Sequence, residues 1–367
     1  MRNIGLLGFG VVGEGVYALT RDREDMGVAW VLCRKEPEIP GVRVTHDIRD
    51  ILEDPQVDTV VEALGGLHPA YEYVTAAIRS GRDVVTSNKA LMTMFYDELI
   101  PLARECGVCL RCTAAVGGGI SWLSEVERTR RIQTVQSIHG IMNGTCNYIL
   151  DNMTRLGLGY DQALRQAQKL GYAERDPSTD VEGTDTWHKL ILSANIAFAV
   201  SLDRDSVPVS GIHRITAGDV ERFTAHGLVC KLVGQAGEDY AFVQPTLYPR
   251  SAPEASVSLN YNLLGLTGNV TGPVHFYGQG AGRYPTAYNV VQDLVDIRQG
   301  KGFYAPYGKK VSVHNDKKMC YYVRGGWDGD VKETWNGAVI TQPIAVKEMH
   351  RWLSRHPDAF IAAIYEK

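Results

Sequence analysis

Glycines at positions 8, 10 and 13, directly after the apolar run at residues 3–7, constrain the amino-terminal fold more tightly than any other feature of the chain. The segment Gly8-Phe9-Gly10-Val11-Val12-Gly13 is followed by a helix-compatible stretch at residues 14–19, so it reads as strand, glycine turn and helix. Each glycine has its own task in such a unit. Gly8 permits the tight turn, Gly10 lets a pyrophosphate approach the backbone, and Gly13 lets helix and strand pack closely. The start of the helix then offers unpaired N–H groups to phosphate.

More βα units follow. A second strand at residues 28–33 ends in Arg34-Lys35, where a fold that prefers NAD usually places an acid for the ribose hydroxyls. Two cations there suit a 2′-phosphate, so NADP(H) is favoured. Glu36 follows them, and NAD(H) stays compatible. A merely solvated, charged loop is the alternative. Residues 57–63 read as a buried strand, residues 70–80 as a helix and residues 83–86 as a further strand ending at Ser87-Asn88-Lys89. Ligands of open α/β sheets bind at the carboxyl ends of the strands, which places Lys89 at the mouth of the site.

Residues 171–190 crowd acids onto a turn and then open a helix on which Asp185 and Lys189 stand four apart, projecting from one face. A carboxylate and an ammonium held side by side can grip a small zwitterion and manage a proton beside it. The same spacing also describes an inert surface pair, worth about 0.2–0.5 kcal/mol.

These motifs together resemble homoserine dehydrogenase. The matching landmarks are the glycine turn, Glu62-Ala63-Leu64-Gly65-Gly66, Ser87-Asn88-Lys89-Ala90, Ala115-Val116-Gly117-Gly118-Gly119-Ile120 and Asn143-Gly144-Thr145-Cys146-Asn147-Tyr148-Ile149-Leu150. They continue in order through residues 171–190 and Phe276-Tyr277-Gly278-Gln279-Gly280-Ala281-Gly282-Arg283-Tyr284-Pro285-Thr286. The resemblance implies NAD(P)-dependent interconversion of L-aspartate-4-semialdehyde and L-homoserine, in threonine and methionine biosynthesis. It implies that Lys189 is the proton partner with Lys89 alongside, and that Asp185 holds the substrate. Glu174, Asp180, Tyr172, Gly144 and Thr145 are implied substrate contacts. Gly8, Phe9, Gly10, Val11, Val12, Gly13, Arg34, Lys35, Gly65, Lys89, Gly278, Gly280, Ala281 and Gly282 are implied cofactor contacts. A rival reading is a related oxidoreductase acting on another amino-acid carbonyl; a second is a non-catalytic NADP-binding sensor.

Two departures stand out. The family often has a glutamate three residues before the valine of its Val-Gly loop, helping to bind a monovalent cation; here Thr113 precedes Val116. A cation site at the Val116 and Gly118 carbonyls would therefore be weak. The segment after about residue 303 is also short for an amino-acid-sensing domain, so feedback regulation through one is not expected. Residues 317–324 in it read as one strand and residues 344–354 as an amphipathic helix.

The expected fold is α/β: a Rossmann-type dinucleotide-binding domain plus an α+β substrate and dimerisation domain with an open mixed sheet. The boundaries fall at 1–133, 134–278, a returning segment 279–303 and an extension 304–367 of open role. In the second domain strands are expected at 137–142, 240–243 and 255–259. The family's sheet supports dimerisation, so a homodimer is expected. Near-balanced charge, 38 basic against 42 acidic residues, argues against nucleic acid as a partner. No apolar run is long enough for a bilayer, and the chain enters a strand at once without a signal peptide, so a cytoplasmic protein is expected. Seven cysteines need no disulfides there. Cys106, Cys109 and Cys112 have a spacing like that of iron–sulfur ligands but lack a fourth cysteine nearby, so they are read as small core thiols, and Cys146 lacks an evident base. His188 is read as structural, and Tyr304, Tyr307, Trp327 and Trp335 as packing groups.

Overall fold

A computed structural model describes residues 2–35, 37–301 and 308–365. Glu36, Tyr304 and Tyr307 lie outside the described residues. The chain forms two compact units: Met1–Ile132 with Asn195–Ser201 and Gln279–Lys309, and Gln133–Ala194 with Leu202–Gly278 and Lys310–Lys367.

The first unit is built on a six-stranded parallel sheet. Its strands are β1 (Arg2–Leu7), β2 (Met26–Leu32), β3 (Arg43–Thr45), β4 (Val57–Glu62), β5 (Asp83–Thr86) and β6 (Leu110–Arg111), in the spatial order β3-β2-β1-β4-β5-β6. The order reverses beside β1, which opens a crevice at the carboxyl ends of β1 and β4. Val60 and Val61 of β4 are fully buried, as expected of a strand covered on both faces. Helix Val11–Thr20 packs on helix Arg283–Arg298 at Gly15, where a Cβ would lie 2.8 Å from that of Ala287. A buried polar clamp fixes the second helix. The Arg111 guanidinium donates to Asp293 at 2.9 Å and to Asp296 at 2.8 Å, and Thr113 donates its N–H and its hydroxyl to Asp293 at 2.9 and 2.7 Å. Burial raises the Asp293 carboxyl, and Arg111 opposes that rise.

The second unit is built on a nine-stranded mixed sheet. Its order is Gly272–Gln279, Tyr261–Gly268, Val135–Ile141, Leu228–Gly237, Ala241–Pro249, Phe360–Ile364, Tyr321–Arg324, Ala338–Thr341 and Val331–Trp335. Four of these strands come from the carboxyl-terminal segment whose role the sequence left open. Phe360–Ile364 pairs in parallel with Ala241–Pro249 and so covers its free edge. Helix Val346–Arg355 lays Val346, Met349 and Trp352 against Phe242, Tyr321 and Ile361. Trp335 stacks on His226 at 3.7 Å, and Trp327 meets Trp352 edge-on.

Two local expectations are corrected. Residues 317–324 form two short strands, Lys318–Met319 and Tyr321–Arg324, rather than one. Residues 255–259 are no strand: a 3-10 turn occupies Pro253–Ser256. The backbone there bonds to side chains instead of a ladder. Lys231 Nζ donates to the Val257 carbonyl at 2.5 Å, Asn147 to the Leu259 carbonyl at 2.9 Å, and the Leu259 N–H donates to Asp151 at 2.9 Å.

Candidate active site

In the first unit a cavity of about 760 Å³ opens at the glycine turn. Gly8, Phe9, Gly10, Arg34, Lys35 and Gly65 line it, together with Glu14, His46, His68 and Tyr73, which the sequence reading did not single out. Val11, Val12, Gly13 and Lys89 are not in that lining. Gly8 has φ +96°, and a Cβ there would lie 2.7 Å from the Ala63 carbonyl oxygen. At Gly13 a Cβ would lie 2.2 Å from the Gly8 carbonyl oxygen. Gly10 differs: a Cβ there would meet nothing within 4 Å. The protein itself therefore gives no reason for glycine at position 10, whereas a phosphate drawn against the backbone does. Helix Val11–Thr20 begins at Gly10, which lines the cavity, without a side-chain cap on its first N–H groups. The residues present fit a dinucleotide.

Buried carboxamide and carboxylate groups hold this cavity's rim. Glu62 accepts from the N–H groups of Leu64 and Gly65, at 2.8 and 3.3 Å, and from the Thr86 hydroxyl at 2.5 Å. Asn88 caps helix Lys89–Met94 and donates to the Gly66 carbonyl at 2.6 Å, so Lys89 starts a helix straight after β5. The Cys33 thiol bonds to the Lys35 carbonyl at 2.8 Å, and the exposed Arg34 and Lys35 side chains follow the end of β2.

In the second unit Asp185 is buried and Lys189 largely so, with side chains 7% and 12% exposed. That rules out the inert surface pair. Lys189 Nζ donates to Asp185 Oδ2 and to the Met142 carbonyl, both at 2.7 Å. Asn143 joins the group from the next element: its Nδ2 donates to Asp185 at 2.8 Å and to Asp180 at 2.7 Å. Its Oδ1 also accepts the Cys146 N–H at 2.8 Å, which caps helix Gly144–Leu156. Asn143 was visible in the sequence as an N-cap residue ahead of a helix, but its bridging of two carboxylates depends on tertiary structure. Burial raises the Asp180 carboxyl, an effect that the Asn143 hydrogen bond opposes.

The remaining sequence candidates divide. The Thr145 hydroxyl donates to the Tyr172 carbonyl at 2.6 Å, which ties the helix start to the acidic loop. Tyr172 and Glu174 are exposed on that loop. Gly144 has a packing reason to be glycine, since a Cβ there would lie 2.7 Å from the Asn260 carbonyl oxygen. Cys146 is fully buried, donates to the Asp180 carbonyl, and has its thiol pushed well up by burial, so it is no nucleophile. His188 packs edge-on to Trp187. Gly278 lies in the edge strand Gly272–Gln279, while Gly282, at φ +123°, precedes helix Arg283–Arg298. A Cβ on Gly118 would lie 2.4 Å from the Gly280 carbonyl carbon, so these two backbones touch.

Near Thr113 several polar groups are hydrogen-bonded within the protein. The Gly118 carbonyl accepts Asn289 Nδ2 at 2.5 Å, Val116 is fully buried, and the Thr113 hydroxyl is bonded to Asp293, whose charge Arg111 already balances.

A doubly wound parallel sheet with an uncapped glycine turn, and a second unit carrying a buried carboxylate–ammonium pair, define a two-unit nicotinamide-dependent oxidoreductase. Comparison with known proteins narrows this. Residues 8–112 match the NAD-binding domain of homoserine dehydrogenase, and residues 122–295 match the homoserine dehydrogenase domain. The chain is 36% identical over 347 residues to a homoserine dehydrogenase of Bacillus subtilis, covering 88% of this chain and 80% of the relative. It is 38% identical over 314 residues to one of Synechocystis, covering 80% and 72%. A solved homoserine dehydrogenase from Thiobacillus denitrificans superposes with a TM-score of 0.89 at 28% identity, over 100% of this chain and 98% of that one. The chain belongs to the homoserine dehydrogenase family, oxidoreductases that interconvert L-aspartate-4-semialdehyde and L-homoserine. Among the described residues no helix is long and apolar enough to cross a membrane.

Proposed function

We propose that this chain reduces L-aspartate-4-semialdehyde with Lys189 as the proton donor, and that it favours NADP(H) over NAD(H). The observation that carries the reading is the buried Asp185–Lys189 pair with Asn143 and Asp180 bonded to it. Bound at the glycine turn, the nicotinamide cofactor supplies the hydride. As hydride reaches the carbonyl carbon, negative charge grows on the carbonyl oxygen, and the Lys189 ammonium stabilises that charge and passes it a proton. In the oxidation direction the same amine takes the hydroxyl proton. Asp185 orients Lys189 and receives the substrate's polar end; Asp180 and Glu174 supply carboxylates for its ammonium, with Thr145 and Tyr172 beside them. Lys89 adds a second ammonium to this chemistry. Arg34 and Lys35 supply charge for a 2′-phosphate at the end of β2. Gly278, Gly280, Ala281 and Gly282 supply close backbone approach to the cofactor. We place the enzyme in the cytoplasm as a homodimer.

The experiment is oxidation of NADPH, and separately of NADH, by purified protein with L-aspartate-4-semialdehyde. Turnover with NADPH favoured is the expected result. NADH favoured would discard the roles of Arg34 and Lys35. Failure with both cofactors, in protein shown to bind one, would overturn the assignment of Lys189 and Asp185.

A further inference from the structure

Away from the Lys189 cluster, three metal-competent side chains of the second unit converge. His139 comes from strand Val135–Ile141, Glu254 from the turn Pro253–Ser256, and His275 from the edge strand Gly272–Gln279. Their ligand atoms all lie within 4.8 Å of one another. His139 Nε2 stands 2.8 Å, and His275 Nε2 3.5 Å, from the same oxygen, Glu254 Oε1. Glu254 is buried, whereas the His275 side chain is 28% exposed, which leaves an approach from solvent.

Space for the His139 imidazole is built into the sheet. Gly265 pairs with His139 on the intervening strand, and a Cβ at Gly265 would lie 2.3 Å from His139 Cε1. Any side chain at position 265 would push His139 out of this arrangement.

We propose that His139, Glu254 and His275 bind a divalent transition ion of the Zn²⁺, Co²⁺ or Ni²⁺ kind, with water completing the coordination. Two neutral imidazoles and one carboxylate are a mixed nitrogen and oxygen donor set, which suits these ions; Mg²⁺ and Ca²⁺ take oxygen ligands. Bonds of about 2.0–2.2 Å to a tetrahedral Zn²⁺ put ligand atoms roughly 3.3–3.6 Å apart. The His275–Glu254 separation is 3.5 Å, and the His139–Glu254 separation of 2.8 Å needs to open by roughly 0.5–0.8 Å. The bound ion ties the edge strand to Val135–Ile141 across the intervening strand, and ties both to the 253–256 turn.

Cobalt reports both occupancy and donor type. Protein stripped with EDTA is titrated with Co²⁺, and then with Zn²⁺ in competition. The expected spectrum has weak visible bands without the intense near-ultraviolet absorption of a thiolate complex, saturates at one ion per chain, and disappears on Zn²⁺ addition. His275→Ala sits on an edge strand, and Glu254→Gln keeps the side chain's shape; each is expected to weaken binding at least about tenfold, since even outer-sphere partners matter by that much. A circular-dichroism spectrum and unfolding midpoint matching those of the metal-free wild type show that each variant is folded. Absence of Co²⁺ and Zn²⁺ binding, a spectrum dominated by thiolate absorption, or affinity unchanged in both folded variants would overturn the site.

Discussion

At the glycine turn the groups we propose as recognising the cofactor are backbone: helix N–H donors, and glycines whose missing Cβ atoms leave room. Around Lys189 they are side chains, with Asn143 bonded to two carboxylates and Asp185 shared between an amide and an ammonium. The cavity lining also includes the exposed Arg34 and Lys35, whereas the polar cluster is buried. The difference teaches how each site fails. A backbone site is damaged by adding atoms. A buried polar cluster is damaged by removing one member, because the remaining charges stay desolvated without partners.

The largest effect is therefore expected in the second unit. Asn143→Ala removes two hydrogen bonds to carboxylates and one helix cap, and is expected to lower kcat/KM about 100-fold and stability by about 2–3 kcal/mol. Steady-state kinetics and denaturant titration would show it; near-normal turnover would mean that Asp180 and Asp185 need no bridge. In the first unit two glycines separate the two kinds of failure. Gly10→Ala places its methyl in open space, so stability should hold while NADPH binding weakens about 10-fold. Gly13→Ala drives its methyl into the Gly8 carbonyl and is expected to cost about 1–3 kcal/mol of stability. Equal cofactor affinity in wild type and Gly10→Ala would break the comparison.

How much of this was legible in the sequence follows the same division. The glycine turn and the strands Val57–Glu62 and Asp83–Thr86 could be read directly, because parallel strands covered on both faces are nearly continuous apolar runs. Asp185 and Lys189 could be paired by helical spacing, but spacing says nothing about burial, which separates a site from a surface pair. Asn143 and the Met142 carbonyl come from other elements, so their bonds to Asp185, Asp180 and Lys189 were hidden although Asn143 itself stood in a recognised motif. The strand expected at 255–259 failed because Lys231 and Asn147 claim the carbonyls that a ladder would use. His139, Glu254 and His275 are 115 and 21 residues apart along the chain, and only the sheet gathers them.

The effect least tied to turnover concerns the carboxyl-terminal segment. Burial pushes the His350 imidazole down to about 4, and its Nε2 lies 3.0 Å from Gln244 Oε1. The folded state thus takes up this proton later than the unfolded chain does. Stability from the neutral ring is fully present above about pH 6.5 and is lost as pH falls towards 4, by about 1–3 kcal/mol. His350→Gln should flatten that part of the stability profile in denaturant titrations at stepped pH. An unchanged slope between pH 6.5 and 4 would remove His350 from the account.

The division of labour is tested most directly by Lys189→Ala, measuring NADPH affinity by its fluorescence and turnover of L-aspartate-4-semialdehyde in the same sample. The account predicts affinity near that of the wild type, with kcat reduced about 10²–10⁴-fold. Turnover close to wild type would contradict it.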